Sequence, residues 1–275
     1  MVVPGNERVR QRVAIAGLGP IGIKVMQALD QGIVGLELSA VAVGDPAKPR
    51  PELERLQRKP PILPLDVLAA AADMVIECAP AAVFRAIVQP FASRGKTAVV
   101  LSAGALLENF DLVEAAKRSG GQIAVPTGAL IGLDAVTAAA EGIIHSVRMV
   151  TRKPPKGLLG APYVVANKID LENLRMPTKI FEGSAREGAR GFPANVNVAA
   201  ALSLAGIGPD RTGLEIWADP GIDRNMHRIE VDADSARFAM EIANVPSENP
   251  KTGRITALSV IAFLRKLAAP LRVGT

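Results

Sequence analysis

The sequence predicts an α/β protein of two domains, the first built on a parallel sheet and the second on a mainly antiparallel one. Three observations lead there. A glycine-rich turn, G-L-G-P-I-G (17–22), stands between the apolar run V-A-I-A (13–16) and a segment in which Ile21, Val25 and Leu29 recur at helical spacing. Strand-like and helix-like segments then alternate as far as Val125, the pattern of a parallel sheet with helices on both faces. Beyond Pro126 the period changes to two: Val147, Met149 and Thr151, then Leu214 and Ile216, then Ile229 and Val231, then Phe238, Met240 and Ile242 alternate with polar neighbours. Residues 1–126 are therefore expected to form a dinucleotide-binding domain, completed by a C-terminal helix within 250–275, and residues 127–249 a substrate-binding and dimerisation domain.

Composition sets the outer bounds. With 275 residues, 49% of them hydrophobic, the chain can bury a sizeable core. No apolar run reaches the ~20 residues a bilayer-spanning helix needs, and the first residues lack the apolar core of a signal peptide, so a cytoplasmic protein is expected. A single cysteine, Cys78, rules out an intrachain disulfide and a multi-cysteine metal site; no metal is expected. The net charge of +5, from 32 basic against 27 acidic residues, is spread along the chain with one Trp, one Tyr and no nucleic-acid motif. It fits a solvated surface that attracts small anions better than a nucleic-acid interface.

Each element then has a local reason. In the glycine turn, Gly17 permits the tight bend, Gly19 lets the backbone approach a pyrophosphate, and Gly22 lets the helix lie close on the strand. Pro20 and Ile21 open that helix, whose free N–H groups would face the phosphates. The second strand, L-E-L-S-A-V-A-V (36–43), ends at Gly44 and Asp45. An acidic residue here commonly takes the ribose hydroxyls, which favours NAD, whereas Lys48 and Arg50 leave NADP open; Asp45-Pro46 is also an ordinary turn starter. After a proline-rich stretch (49–64), M-V-I-E-C (74–78) reads as a strand. Val83, Phe84, Ile87, Val88 and Phe91 form a helical stripe, 98–101 a strand, Leu112, Val113 and Ala116 a helix, and 123–125 a strand. Ligands of such sheets bind at the carboxyl ends of the strands, which brings Cys78, Ala79 and Pro80, Ser102 to Gly104, and Thr127 with Gly128 towards the nucleotide. Cys78 has no activating partner near it in sequence and is read as packing or cofactor contact rather than nucleophile.

In the second domain, Ser184 and Glu187 fit a capping box opening one helix, and N-V-A-A-A-L-S-L-A (197–205) forms another. Residues 232–235 are a hairpin turn between the last two strands. The tail, N-P-K-T (249–252), leads into a helix carrying Ile255, Leu258, Ile261, Leu264 and Leu267. A nicotinamide cofactor brings hydride chemistry, so the protein must supply a proton-transfer group. Of the two histidines, His145 sits at a strand boundary. His227 shares a strand face with Ile229 and Val231, where partial desolvation is expected to hold its pKa near neutrality, as general acid–base work requires, although a core histidine bonded to a carbonyl would show the same spacing.

At this point G-S-A-R-E (183–187), F-P-A-N-V-N-V-A-A-A-L-S-L-A-G (192–206), D-R-T (210–212), N-M-H (225–227) and N-P-K-T together resemble the L-aspartate dehydrogenase family. The resemblance implies a Rossmann-type domain followed by a domain of the dihydrodipicolinate-reductase type that also builds a homodimer interface. It implies oxidation of L-aspartate with NAD or NADP to iminosuccinate, which hydrolyses to oxaloacetate and ammonia or enters NAD biosynthesis. His227 matches the family's active-site histidine, and Ala129 and Asn197 match its cofactor contacts. Met226 and Gly253 depart from the usual Val and Ser. Lys251, Thr252, Asn195 and the N-terminus of the Asn197 helix are nominated to hold the two substrate carboxylates. The alternatives are a reductase of another imine or keto dicarboxylate, and a dinucleotide-binding regulatory protein without turnover.

Overall fold

A computed structural model describes residues 10–193, 195–247 and 253–275. The chain divides into two compact units. The first comprises 1–100, 111–124 and 261–272, and the second 101–110, 125–260 and 273–275.

The first unit holds a five-stranded parallel sheet of β1 (Gln11–Ala16), β2 (Leu36–Ala42), β3 (Met74–Glu77), β4 (Thr97–Val100) and β5 (Gln122–Ala124), in the order β2-β1-β3-β4-β5. Val13, Ala14, Ile15 and Ala16 are wholly buried, as a central parallel strand covered on both faces requires. At its N-terminal end, Arg12 grips Asp73 through two side-chain hydrogen bonds of 3.2 and 2.7 Å, and its N–H donates to the same carboxylate at 3.0 Å. Those bonds hold the Asp73 carboxyl below its ordinary pKa. The helix Phe84–Ala92 buries Phe84, Ile87, Val88 and Phe91 as the stripe predicts. The strand order reverses between β1 and β3, and that switch point is where open α/β sheets bind ligands.

The second unit holds a mixed sheet of β6 (Ile144–Lys153), β7 (Thr178–Ser184), β8 (Thr212–Ala218), β9 (Asn225–Ala233) and β10 (Arg237–Asn244), in the order β10-β9-β6-β8-β7. Three of its pairings are antiparallel, but β6 and β8 run parallel. The helices Leu133–Ala140, Ala185–Gly191 and Asn197–Ala205 contribute to the core that covers one face. The capping box forms as read, with Ser184 Oγ accepting from the Glu187 N–H at 3.2 Å and the Glu187 carboxylate accepting from the Ser184 N–H at 2.7 Å.

The terminal helix, Ile255–Ala268, presents a different face from the expected one. Ala257, Val260 and Leu264 are buried, while Ile255 and Leu258 are exposed. Spacings of three drift by ~60° per step around a helix of 3.6 residues per turn, so the five apolar residues from Ile255 to Leu267 cannot share one face.

Candidate active site

The glycine loop is built by steric necessity at two points. β1 is extended on both sides, since the Gly17 N–H donates to the Ala42 carbonyl and the Cys78 N–H to the Ala16 carbonyl, each at 2.8 Å. Gly17 has φ +100°, and a Cβ there would lie 2.5 Å from the Cys78 carbonyl oxygen. A Cβ on Gly22 would lie 2.0 Å from the Gly17 carbonyl oxygen. Gly19 differs, because a Cβ there would meet nothing within 4 Å.

Gly19 is also the N-cap of the helix Pro20–Gln31, with Pro20 in its first turn and no side chain capping it. The N–H groups of Ile21 and Gly22 are thus left to whatever enters the open space at Gly19. The loop therefore fits a dinucleotide pyrophosphate: two glycines close the turn, and the third keeps the approach clear at a helix N-terminus.

The neighbouring first-unit residues fall as follows. Cys78 and Ala79 follow β3 directly, against Gly17. Burial and the Glu77 carboxylate push the Cys78 thiol well above its ordinary pKa, which favours the protonated form. The Ala79 N–H donates to Glu77 at 3.2 Å. Asp45 lies on an exposed turn beyond β2, where its carboxylate accepts the Ala47 N–H at 3.0 Å. This is the turn-starter geometry, and it leaves the carboxylate at the surface. Arg50 approaches Glu52 at 4.0 Å.

In the second unit, the buried face of the sheet is graded. Register pairs Val147 with Val231, Met149 with Ile229, and Thr151 with His227, so the face runs from hydrocarbon at one end to polar groups at the other. At the polar end Thr151, Lys153, Asn225 and His227 are all buried. Thr151 Oγ1 and His227 Nδ1 are 3.2 Å apart, and the tautomer decides which donates. Lys153 Nζ donates to both the carbonyl and the Oδ1 of Asn195, each at 3.1 Å. Against the near-neutral pKa expected of a partly desolvated His227, full burial and then the charge of Lys153 lower it to about 3, so the imidazole is neutral at physiological pH. His145, by contrast, is exposed.

Two further second-unit contacts involve residues singled out from sequence. Asn197, first residue of its helix, accepts the Gly104 N–H on Oδ1 at 3.0 Å, which ties it to the start of the helix Ala103–Glu108. The Ala129 carbonyl accepts Asn244 Nδ2 at 2.9 Å, and the Gly128 N–H donates to Ser259 Oγ at 3.0 Å. Gly253, one of the two departures from the family motif, packs on Asn244: a Cβ there would sit 2.8 Å from the Asn244 Oδ1.

The structure thus brings His227 and Asn195 into one cluster through Thr151 and Lys153, and gathers Gly17, Gly22, Cys78 and Ala79 into another. Lys251 and Thr252 lie outside the described residues. The sequence reading missed Lys153, although it stands in phase with Val147, Met149 and Thr151; a lysine on a core-facing period was the available signal.

Comparison with known proteins bears on this arrangement. Residues 17–126 match the NAD-binding domain of homoserine dehydrogenase, and residues 134–267 match the C-terminal domain of aspartate dehydrogenase. An L-aspartate dehydrogenase of Bradyrhizobium diazoefficiens is 67% identical over 96% of this chain and 94% of its own. The chain belongs to the L-aspartate dehydrogenase family. A second relative, L-aspartate dehydrogenase 3 of Bordetella bronchiseptica, is 57% identical over 96% of this chain and 97% of its own. The L-aspartate dehydrogenase of Methanosarcina mazei is 40% identical over 96% of this chain and 99% of its own. The crystal structure of aspartate dehydrogenase from Thermotoga maritima superposes with a TM-score of 0.72 at 23% identity, covering 96% of this chain and all of that one, and so shares the fold. Among the described residues no helix is long and apolar enough to cross a membrane.

Proposed function

We propose that this chain oxidises L-aspartate to iminosuccinate with NAD or NADP, and runs the reverse reductive amination, using His227 as its proton-transfer group. The observation that carries the reading is a buried, neutral imidazole at the polar end of the sheet face, in a chain 67% identical to an L-aspartate dehydrogenase.

A bound nicotinamide supplies the hydride acceptor. The chain's own part begins with holding the pyrophosphate at Gly17, Gly19 and Gly22, on the N–H groups that follow Pro20. Ala79, Ala129 and Asn197 line the rest of the coenzyme site in this reading. Asn195, Lys251 and Thr252 receive the substrate carboxylates. His227, held by Thr151, takes the proton from the water that adds to the imine carbon, and returns it as general acid in the amination direction.

NAD is the preferred coenzyme in this reading, because the exposed Asp45 carboxylate would repel a 2′-phosphate; Lys48 and Arg50 keep NADP usable. The first 126 residues with the terminal helix form the coenzyme domain, and 127–249 form the substrate domain and the interface of a homodimer working in the cytoplasm. The test is NAD(P)H formation across amino acids, with sedimentation for the dimer. Turnover confined to L-aspartate supports the reading; no aspartate oxidation and no reduction of oxaloacetate with ammonia would falsify it.

A further inference from the structure

Resting on the aspartate reading, we propose that Thr151 is the positioning residue of the proton-transfer group: its hydroxyl holds His227 at Nδ1 and thereby reserves Nε2 for the reaction. Thr151 and His227 are cross-strand partners in the antiparallel β6–β9 ladder, so their side chains leave the sheet on the same face. Oγ1 lies 3.2 Å from Nδ1, and the two residues are 2% and 3% exposed. On its other side His227 pairs with Ile242 of β10, whose side chain is hydrocarbon. Among the described residues, the Thr151 hydroxyl is the hydrogen-bond partner of the imidazole.

The holder is itself held. β6 is paired along both edges, with Thr151 opposite His227 on β9 and opposite Ile216 on β8, so its backbone cannot shift without breaking two ladders. Threonine is β-branched, and few χ1 rotamers are open to it. A rigid strand thus aims a short, stiff side chain at one ring nitrogen, the arrangement that preorganises a site.

The tautomer follows from the reaction assigned to the ring. A neutral imidazole has one N–H and one lone pair, and the hydrogen bond made at one nitrogen sets which form is present. Burial keeps His227 neutral near pH 7. To take a proton, Nε2 must carry the lone pair, so the ring hydrogen sits on Nδ1 and is donated to Thr151 Oγ1. As water adds to the imine carbon its proton passes to Nε2, and the O–H electron pair stays with the oxygen that forms the new bond. The imidazolium keeps its Nδ1–H bond to Thr151, and in the amination direction Nε2 gives the proton back. Without the hydroxyl a buried Nδ1–H is left unsatisfied. The ring then gains by turning over or by moving its hydrogen to Nε2, and either change takes the lone pair away from the reaction.

The test uses the full-length enzyme with coenzyme, comparing wild type with Thr151→Val, which keeps the branched shape, and Thr151→Ser, which keeps the hydroxyl. The positioning role predicts a kcat for L-aspartate lowered about ten- to hundredfold in Thr151→Val, with KM and coenzyme Kd unchanged, and kcat restored in Thr151→Ser. A packing role predicts the reverse order, because Val fills the site and Ser opens a cavity; that order overturns the proposal. Ring 15N NMR at neutral pH supplies a signature independent of rate. The proton should sit on Nδ1 of His227 in wild type and in Thr151→Ser, and redistribute in Thr151→Val. The chain holds two histidines, and His145→Gln tells the rings apart. A wild-type ring protonated at Nε2 overturns the assignment, and this measurement decides even if Thr151→Val fails to fold. Aspartate turnover that survives intact in Thr151→Val overturns the positioning role alone, whereas its absence in wild type overturns the parent reading.

Discussion

The two units solve one problem, presenting polarity at the end of an apolar sheet, by opposite means. In the first, the buried stretch Val13–Ala16 gives way to Gly17, Gly19 and Gly22, so the polar groups at its end are those of a backbone bare of side chains. In the second, the face that carries Val147 and Met149 continues into Thr151 and Lys153, and the polar groups are side chains. The first site is therefore sensitive to added atoms and the second to removed ones, and mutations can test that contrast directly.

The largest effect is expected from deletion in the second unit. His227→Ala should lower kcat for L-aspartate by about a hundred- to ten-thousandfold while a fluorescence titration still shows coenzyme binding. Equal turnover in the variant would take the imidazole out of the chemistry. Addition in the first unit should split by position. Gly17→Ala combines a positive φ with a Cβ 2.5 Å from the Cys78 carbonyl, and should cost about 2–5 kcal/mol in chemical denaturation. Gly19→Ala should leave stability within about 0.5 kcal/mol and weaken coenzyme binding, since its Cβ fills only the open approach. Equal stability losses at the two positions would break the comparison.

A smaller signal lies in acid stability. The folded-state pKa of His227 is lowered from 6.5 to about 3, so between those values the unfolded chain holds a proton that the folded chain does not. Stability must then fall as pH drops through that window, by about 1.4 kcal/mol per pH unit. His227→Gln should remove this part of the slope when melts are compared from neutral to acid pH; an unchanged slope would mean that the folded imidazole titrates normally. The smallest effect is expected at Ser184, far from either contrast in kind. Ser184→Ala deletes the cap of the helix Ala185–Gly191 and should cost about 1 kcal/mol with KM unaltered.

Much of this was legible in the sequence where local chemistry dominates. The glycine loop, the capping box at Ser184 and Glu187, and the helix Asn197–Ala205 each declare themselves through a few adjacent residues. What stayed hidden depended on neighbours in space. β7 was missed because Ile180 and Phe181 are adjacent rather than alternating: its pairing with β8 shifts register between Lys179 and Phe181, and that irregularity erases the period of two. The parallel pairing of β6 with β8 was equally silent, since alternation reports which face is buried but not which strand lies alongside. Lys153 was passed over because a lysine reads as surface until the phase of its strand is followed to the last residue.

That phase has a consequence for folding. β6 is paired along both sides, to β9 and to β8, and its outward residues include Arg148 and Arg152. A slip of one position would drive both guanidinium groups into the hydrocarbon core and throw Thr151 and Lys153 out to water. The strand thus proofreads its own alignment: the same alternation that delivers the polar cluster makes every neighbouring alignment too costly to persist.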